Sequence, residues 1–213
     1  MAYDLEEQEK LDALKDWWDR NGTLIVAIVV LIAASILGWR GWQWYERYQA
    51  QQAMGYFEAL ESAAHQPLDD KDGLARLEAA SKVLRDDYAK SAYTSRGVLV
   101  AATALYERGA TDQAKDQLRW LIKTDHDPVA TAVARLRLAA ILLEEGDYAE
   151  GLDLLSKDAP GFEALYADRR GDLYYAQGDT DQAKEQWDAA LTSLQGQNAA
   201  SMVRLKLDAL NKE

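Results

Sequence analysis

Gly109–Lys115 reads GATDQAK and Gly178–Lys184 reads GDTDQAK, so TDQAK recurs unchanged in the second half of the chain. Between them Gly146–Gly151 reads GDYAEG; the three glycines are 37 and then 32 residues apart. A glycine suits the left-handed position that ends a helix. The acidic or hydroxyl residue that follows suits the start of the next one. A turn of this kind repeated at about 34 residues is the pattern of stacked helical hairpins.

Residue size on either side of each turn supports that pattern. Small residues at Ala102, Ala139 and Gly171 in the first helices, and at Ala114, Gly151 and Ala183 in the second, allow close approach. Large residues fill the remaining space: Leu105, Leu118 and Leu121; Leu138, Leu142 and Leu155; Tyr174, Trp187 and Leu194. Asp127-Pro128 suits an N-cap with proline at the first helical position. Ala159-Pro160-Gly161 breaks the chain before the last hairpin. The spacing predicts repeats over about 92–124, 128–157 and 162–194, preceded by a degenerate hairpin over about 50–88. A helix over about 199–210 caps the stack, with Met202, Leu205 and Leu210 expected inward. No stretch alternates with period two, so sheet is not expected.

Upstream, residues 21–39 read NGTLIVAIVVLIAASILGW, 19 residues without a charge. At 1.5 Å per residue they span about 28 Å, close to the hydrocarbon thickness of a bilayer. Trp17 and Trp18 precede the run, and Trp39, Trp42 and Trp44 follow it, as two interfacial aromatic belts require. The preceding arm carries seven acids and three bases, and bulky residues follow the run; neither suits a cleaved signal peptide. The reading is an uncleaved anchor: a charged amphipathic arm over 1–20, a membrane span over 21–44 and a helical domain over 45–213. Leu11, Leu14 and Trp17/Trp18 form the arm's apolar stripe, and Asn21-Gly22 is read as its stop. Lys10, Lys15 and Arg20 on one side against Arg40 and Arg47 on the other favour a cytoplasmic N-terminus. The domain beyond is then exported. Ala34 and Gly38 have the small-xxx-small spacing of helix contacts, with Ser35 as polar neighbour. The fold class is all-α: a single N-terminal transmembrane helix followed by a tetratricopeptide-like (TPR-like) helical-repeat domain.

Composition narrows the chemistry. The 213 residues include no cysteine and two histidines, and the formal charge is −12. Thiolate metal sites, disulfides and cysteine nucleophiles are therefore excluded. A pI near 4.7 argues against nucleic acid as main partner. His65 and His126 lie beside turns without a nucleophile or metal-like spacing. Asp69–Gly73 lacks oxygen ligands at both ends of a calcium loop, where Leu68 and Ala79 would fall. No phosphate-binding loop, dinucleotide fingerprint or nucleophile elbow is present. Neither catalysis, metal nor cofactor is expected.

Stacked hairpins place one side of each first helix on an extended surface that binds peptides or helices. In the register above, the first helix presents Arg96, Leu99, Thr103 and Tyr106. The second adds Val133, Leu136, Ala140 and Leu143. The third adds Leu165, Asp168, Asp172 and Tyr175. The expected groove is mostly apolar with aromatic and acidic edges.

The stretches Lys15–Trp44 and Arg169–Leu191, the latter containing RGDLYYAQGDTDQAKEQWDAAL, carry a wider resemblance. The whole chain resembles the bacterial YfgM-like family, ancillary subunits of the SecYEG translocon. The resemblance implies a bacterial inner-membrane protein with a cytoplasmic N-terminus and a periplasmic TPR-like domain. It implies association with SecYEG and with a membrane-anchored periplasmic chaperone of the prolyl-isomerase type, and help in passing exported polypeptides to periplasmic chaperones. It brings no catalytic residue. On physics alone, a membrane-anchored scaffold for another envelope-assembly complex fits the same pattern.

Overall fold

The computed structural model describes residues 2–124, 126–194 and 199–210. The chain divides into two compact units, one ending at Gln49 and one beginning at Ala50.

The described residues of the first unit are helical throughout and belong to α1 (Ala2–Ala64). Asn21-Gly22 does not stop the helix. The Asn21 side-chain amide donates to the Trp17 carbonyl at 2.9 Å, four residues back, instead of capping. The Trp18 indole lies over Gly22, where a Cβ would come within 3.1 Å of the ring. Both residues are thus absorbed into the helix interior. The apolar run that follows faces outward, with Leu31 67% and Leu37 71% exposed. Such a helix satisfies its own backbone groups, which a hydrocarbon environment demands. Among the described residues α1 is the helix long and apolar enough to cross a membrane.

Among the described residues the second unit comprises the end of α1 and eight further helices: α2 (Lys71–Asp87), α3 (Ala92–Glu107), α4 (Thr111–Thr124), α5 (Pro128–Glu145), α6 (Tyr148–Leu154), α7 (Glu163–Gln177), α8 (Thr180–Ser193) and α9 (Ala199–Leu210). No strand occurs among the described residues. Three hairpins, α3/α4, α5/α6 and α7/α8, share one turn. Gly109, Gly146 and Gly178 adopt φ of 76°, 81° and 90°, which side chains rarely tolerate. In each turn the next N–H donates to the carbonyl five residues back at 2.9 Å: Ala110 to Leu105, Asp147 to Leu142, Asp179 to Tyr174. This is the Schellman closure, and it satisfies carbonyls that a helix end leaves unpaired. Asp147 and Asp179 then accept from Glu150 N and Gln182 N, and Asp127 caps α5 through Ala130 N.

The core runs through the stack in three clusters. The first joins Leu60 of α1 to Leu77, Leu84, Val98, Leu105, Leu118 and Leu138. The second lies around Leu155, Tyr166 and Leu173. Burial pushes the Tyr166 phenol above its ordinary pKa, and its hydroxyl donates to the Ala132 carbonyl at 3.3 Å. The third gathers Trp187, Ala190, Leu194, Val203 and Leu207. The end of α1 joins the first cluster through ring contacts as well, Phe57 with Tyr93 and Tyr56 with Tyr88, both with centroids 5.8 Å apart. Arg108 Nη2 donates to the Ala63, Ala64 and Gln66 carbonyls at 3.4, 3.3 and 3.0 Å, closing the end of that helix.

All six small residues around the turns are buried. A Cβ on Gly171 would meet the Trp187 ring at 2.4 Å, and one on Gly151 would meet Leu173 at 2.9 Å. The inward face of α9 differs from expectation. Met202 and Leu205 are 63% and 66% exposed, and Ala200, Val203 and Leu207 face inward instead. This rotation keeps Lys206, on the edge of the buried stripe, against carboxylates of α7.

Gly171→Ala should lower the unfolding free energy by about 1–3 kcal/mol, because the added methyl must displace Trp187. Gly55→Ala, in an open helical position, should change stability by less than about 1 kcal/mol and in the stabilising direction. Urea titration of the helical circular-dichroism signal measures both.

Candidate functional site

First helices α3, α5 and α7 lie side by side, so their outward edges form one continuous face. None of the twelve side chains read from the sequence as its lining is fully buried. Arg96, Thr103, Tyr106, Leu165 and Tyr175 are exposed. Leu99, Val133, Leu136, Ala140, Leu143, Asp168 and Asp172 are half-buried. Leu99, Leu136 and Leu143 also pack on the core clusters, so they serve both surfaces.

Cross-links between helices fix this face. Arg137 of α5 donates through Nη1 to the Leu99 carbonyl at 2.8 Å and to Thr103 Oγ1 at 2.7 Å. The Tyr106 hydroxyl of α3 donates to the Glu144 carboxylate of α5. That hydrogen bond holds the Tyr106 phenol above its ordinary pKa, because the carboxylate stabilises the protonated form.

On α7 the two aspartates are occupied from α9. Lys206 Nζ reaches Asp168 Oδ1 at 2.7 Å and Asp172 Oδ1 at 2.6 Å. Arg169 Nη1 adds a contact to Asp172 Oδ2 at 3.4 Å. Trp187 Nε1 of α8 lies 3.2 Å from both the Asp168 carbonyl and Asp172 Oδ1. An ammonium between carboxylates at i and i+4 removes the repulsion they would otherwise share. The same ammonium stands 5.8 Å from the Trp187 ring centroid.

The sequence reading missed Arg137, Glu144 and Lys206 as parts of this face, and took Trp187 only as filler. One signal was present for Trp187: a buried indole N–H needs an acceptor, and α7 carries two aspartates. No such local signal exists for Arg137 or Lys206, whose partners lie more than thirty residues away.

In the first unit, Trp17, Trp18, Trp39, Trp42 and Trp44 are all exposed on α1. Trp42 contacts Tyr45 with centroids 6.4 Å apart, and Trp44 stacks on Tyr48 at 5.9 Å. The Ser35 hydroxyl donates to the Leu31 carbonyl at 2.8 Å, so its hydrogen is used within the helix. Ala34 is exposed, and a Cβ on Gly38 would meet nothing within 4 Å. Among the described residues no group of three or more His, Asp or Glu side chains is placed to hold a metal ion.

Residues 15–212 match the family model of a tetratricopeptide repeat-like domain. The chain belongs to this family. The match includes the apolar segment, and relatives align along almost the whole chain. One from Haemophilus influenzae is 29% identical over 211 residues, 99% of this chain and 100% of its own length. One from Neisseria gonorrhoeae is 27% identical over 212 residues, again 99% and 100%. One from Escherichia coli is 25% identical over 208 residues, 96% and 97%. All three are named "Ancillary SecYEG translocon subunit".

Lys206→Met should deprive Asp168 and Asp172 of the ammonium they share and loosen α9. Hydrogen exchange should quicken in α9 and the end of α8, while α3–α5 amides keep their parental rates. Equal protection throughout α9 would show that apolar packing alone holds it.

Proposed function

We propose that this protein is a non-enzymatic inner-membrane accessory of the Sec translocon. Residues 21–44 span the membrane, residues 1–20 lie in the cytoplasm, and the TPR-like domain over 45–213 stands in the periplasm. The face of α3, α5 and α7 binds partner chaperones or emerging exported polypeptides and aids their transfer to periplasmic chaperones. A membrane-anchored chaperone of the prolyl-isomerase type is the proposed partner beside SecYEG itself.

One observation carries this reading. A helical-repeat domain and an apolar helix suited to a membrane share one chain, and the relatives that match both parts along almost their full length are named as translocon subunits. Physics adds a motive for the arrangement. A repeat surface tethered beside a channel meets each emerging segment at an effective concentration set by the tether, so modest affinity suffices. What supports a role in holding chains rather than reacting with them is that Tyr106, Glu144, Arg137, Asp168 and Asp172 are engaged in cross-links between helices.

The absence of cysteine makes a direct test available. Lys10→Cys and Lys184→Cys variants, each with a single thiol, should show opposite labelling by a membrane-impermeant maleimide in intact spheroplasts. Only Lys184→Cys should react. A photo-crosslinking residue at Leu136 or Tyr175 should trap exported chains or a chaperone, and purification in mild detergent should recover the channel subunits. Recovery of a different envelope complex without the channel would replace this function with that of a scaffold for that assembly.

A further inference from the structure

Where α5, α7, α8 and α9 meet, the second unit encloses a partly open cavity of about 470 Å³. Leu143 of α5, Tyr175 and Ala176 of α7 and Trp187 of α8 form three of its walls. The C-terminal helix supplies the fourth through Ala209 and Leu210. We propose that this cavity is a subsite for one bulky apolar side chain, aromatic or leucine-like, of an extended polypeptide lying along α3, α5 and α7. The proposal rests on reading that face as polypeptide-binding.

Three observations select this occupant. The first is size and lining. The volume falls within the roughly 300–1,000 Å³ of clefts that hold organic groups. The Tyr175 and Trp187 rings stand with centroids 5.7 Å apart at 42°, so the cavity has a tilted aromatic pair at its wall, backed by the buried indole. Tyr175 is 43% exposed, so this aromatic surface is not spent on the core.

The second is charge. The ionic groups at the cavity are already neutralised. Asp172 receives Lys206 at 2.6 Å, Arg169 at 3.4 Å and the Trp187 N–H at 3.2 Å, and the same ammonium takes Asp168 at 2.7 Å. A charged side chain would be desolvated there without a free counter-charge, which is unfavourable. An apolar one carries no such penalty.

The third is continuity. Leu143 ends the row Val133, Leu136, Ala140 and Leu143 along α5, so the cavity terminates a strip that an extended chain can follow. A discrete small molecule needs no such strip. The arrangement also gives α9 a task beyond covering the last hairpin, since without Ala209, Leu210 and Lys206 the cavity has no fourth wall and its aspartates lose their shared ammonium.

The test uses the full-length protein in lipid nanodiscs and two short fluorescent peptides that are identical except for a central Phe or Ala. Fluorescence anisotropy should show the Phe peptide binding about tenfold or more tightly, as burial of one aromatic side chain implies. The preference should persist from about 50 mM to about 500 mM salt, because no ion pair is formed. Ala176→Trp, which fills the cavity from an exposed position, should abolish the preference with unaltered helix content. Leu210→Ala, a milder change, should reduce the preference several-fold with unaltered helix content. Leu136→Arg should weaken both peptides alike. Equal binding of the two peptides, a preference that salt removes, or a preference untouched by both Ala176→Trp and Leu210→Ala would overturn the subsite while the polypeptide-binding face stands. If neither peptide binds at any concentration tested, the reading of the face fails and the subsite with it.

Discussion

One backbone hydrogen bond, made three times, organises the repeat domain. It runs from the residue after each turn glycine to the carbonyl five residues earlier, and its length is 2.9 Å in all three turns. Its requirement is a residue at φ of about +80°, which the glycines supply. Once it forms, the exit direction of the chain is set and the second helix must fold back on the first. Small residues then decide how close the pair can come, and at Gly171 the answer is contact with an indole ring. First helices are brought beside one another only because each hairpin closes in the same way. The shared face of α3, α5 and α7 follows from the turn, and cross-links such as Arg137 with Thr103 then fix it.

This explains which parts of the structure are legible in the sequence. The turns are local, so glycine spacing and the acidic residues that follow reveal them. The core is legible for the same reason, because a 3.6-residue period anchored at a known turn leaves little freedom of register. The two departures arise where local information is ambiguous. Asn21-Gly22 is a stop signal in isolation, yet the Asn21 amide bonds to Trp17 and the Trp18 ring covers the glycine, so the helix continues. In α9 two apolar stripes compete, and the stripe that is buried sets Lys206 against aspartates on another helix. The face itself is legible as a set of positions. Its cross-links, such as Arg137 with Thr103 and Tyr106 with Glu144, depend on partners supplied by stacking, and no local pattern encodes them.

The charge of −12 also takes on a structural meaning. It avoids the run from Asn21 to Trp39 entirely and collects on the arm and the repeats. In the repeats, several acids are tied to a base on a neighbouring helix, as in Lys115 with Glu145 at 2.7 Å and Arg119 with Glu150 at 2.9 Å. Exposed pairs of this kind contribute little stability each. Their larger effect is to keep the outer surfaces of the helices hydrated, and an acidic domain is repelled by anionic lipid headgroups.

The division of the core into three clusters, described above as a matter of packing, also sets how the domain comes apart. Each cluster is shared by adjacent helices, so cooperativity is of nearest-neighbour kind and weakens along the stack. The terminal segment of α8 and α9 has neighbours on one side only. End units of a stack characteristically open at lower free energy than the middle, as local unfolding events that leave the remaining units intact. Anything held between α7, α8 and α9 draws its affinity partly from the closed fraction of that segment and, by linkage, raises that fraction in return. Occupancy and local order at this end of the stack are therefore two readings of one equilibrium.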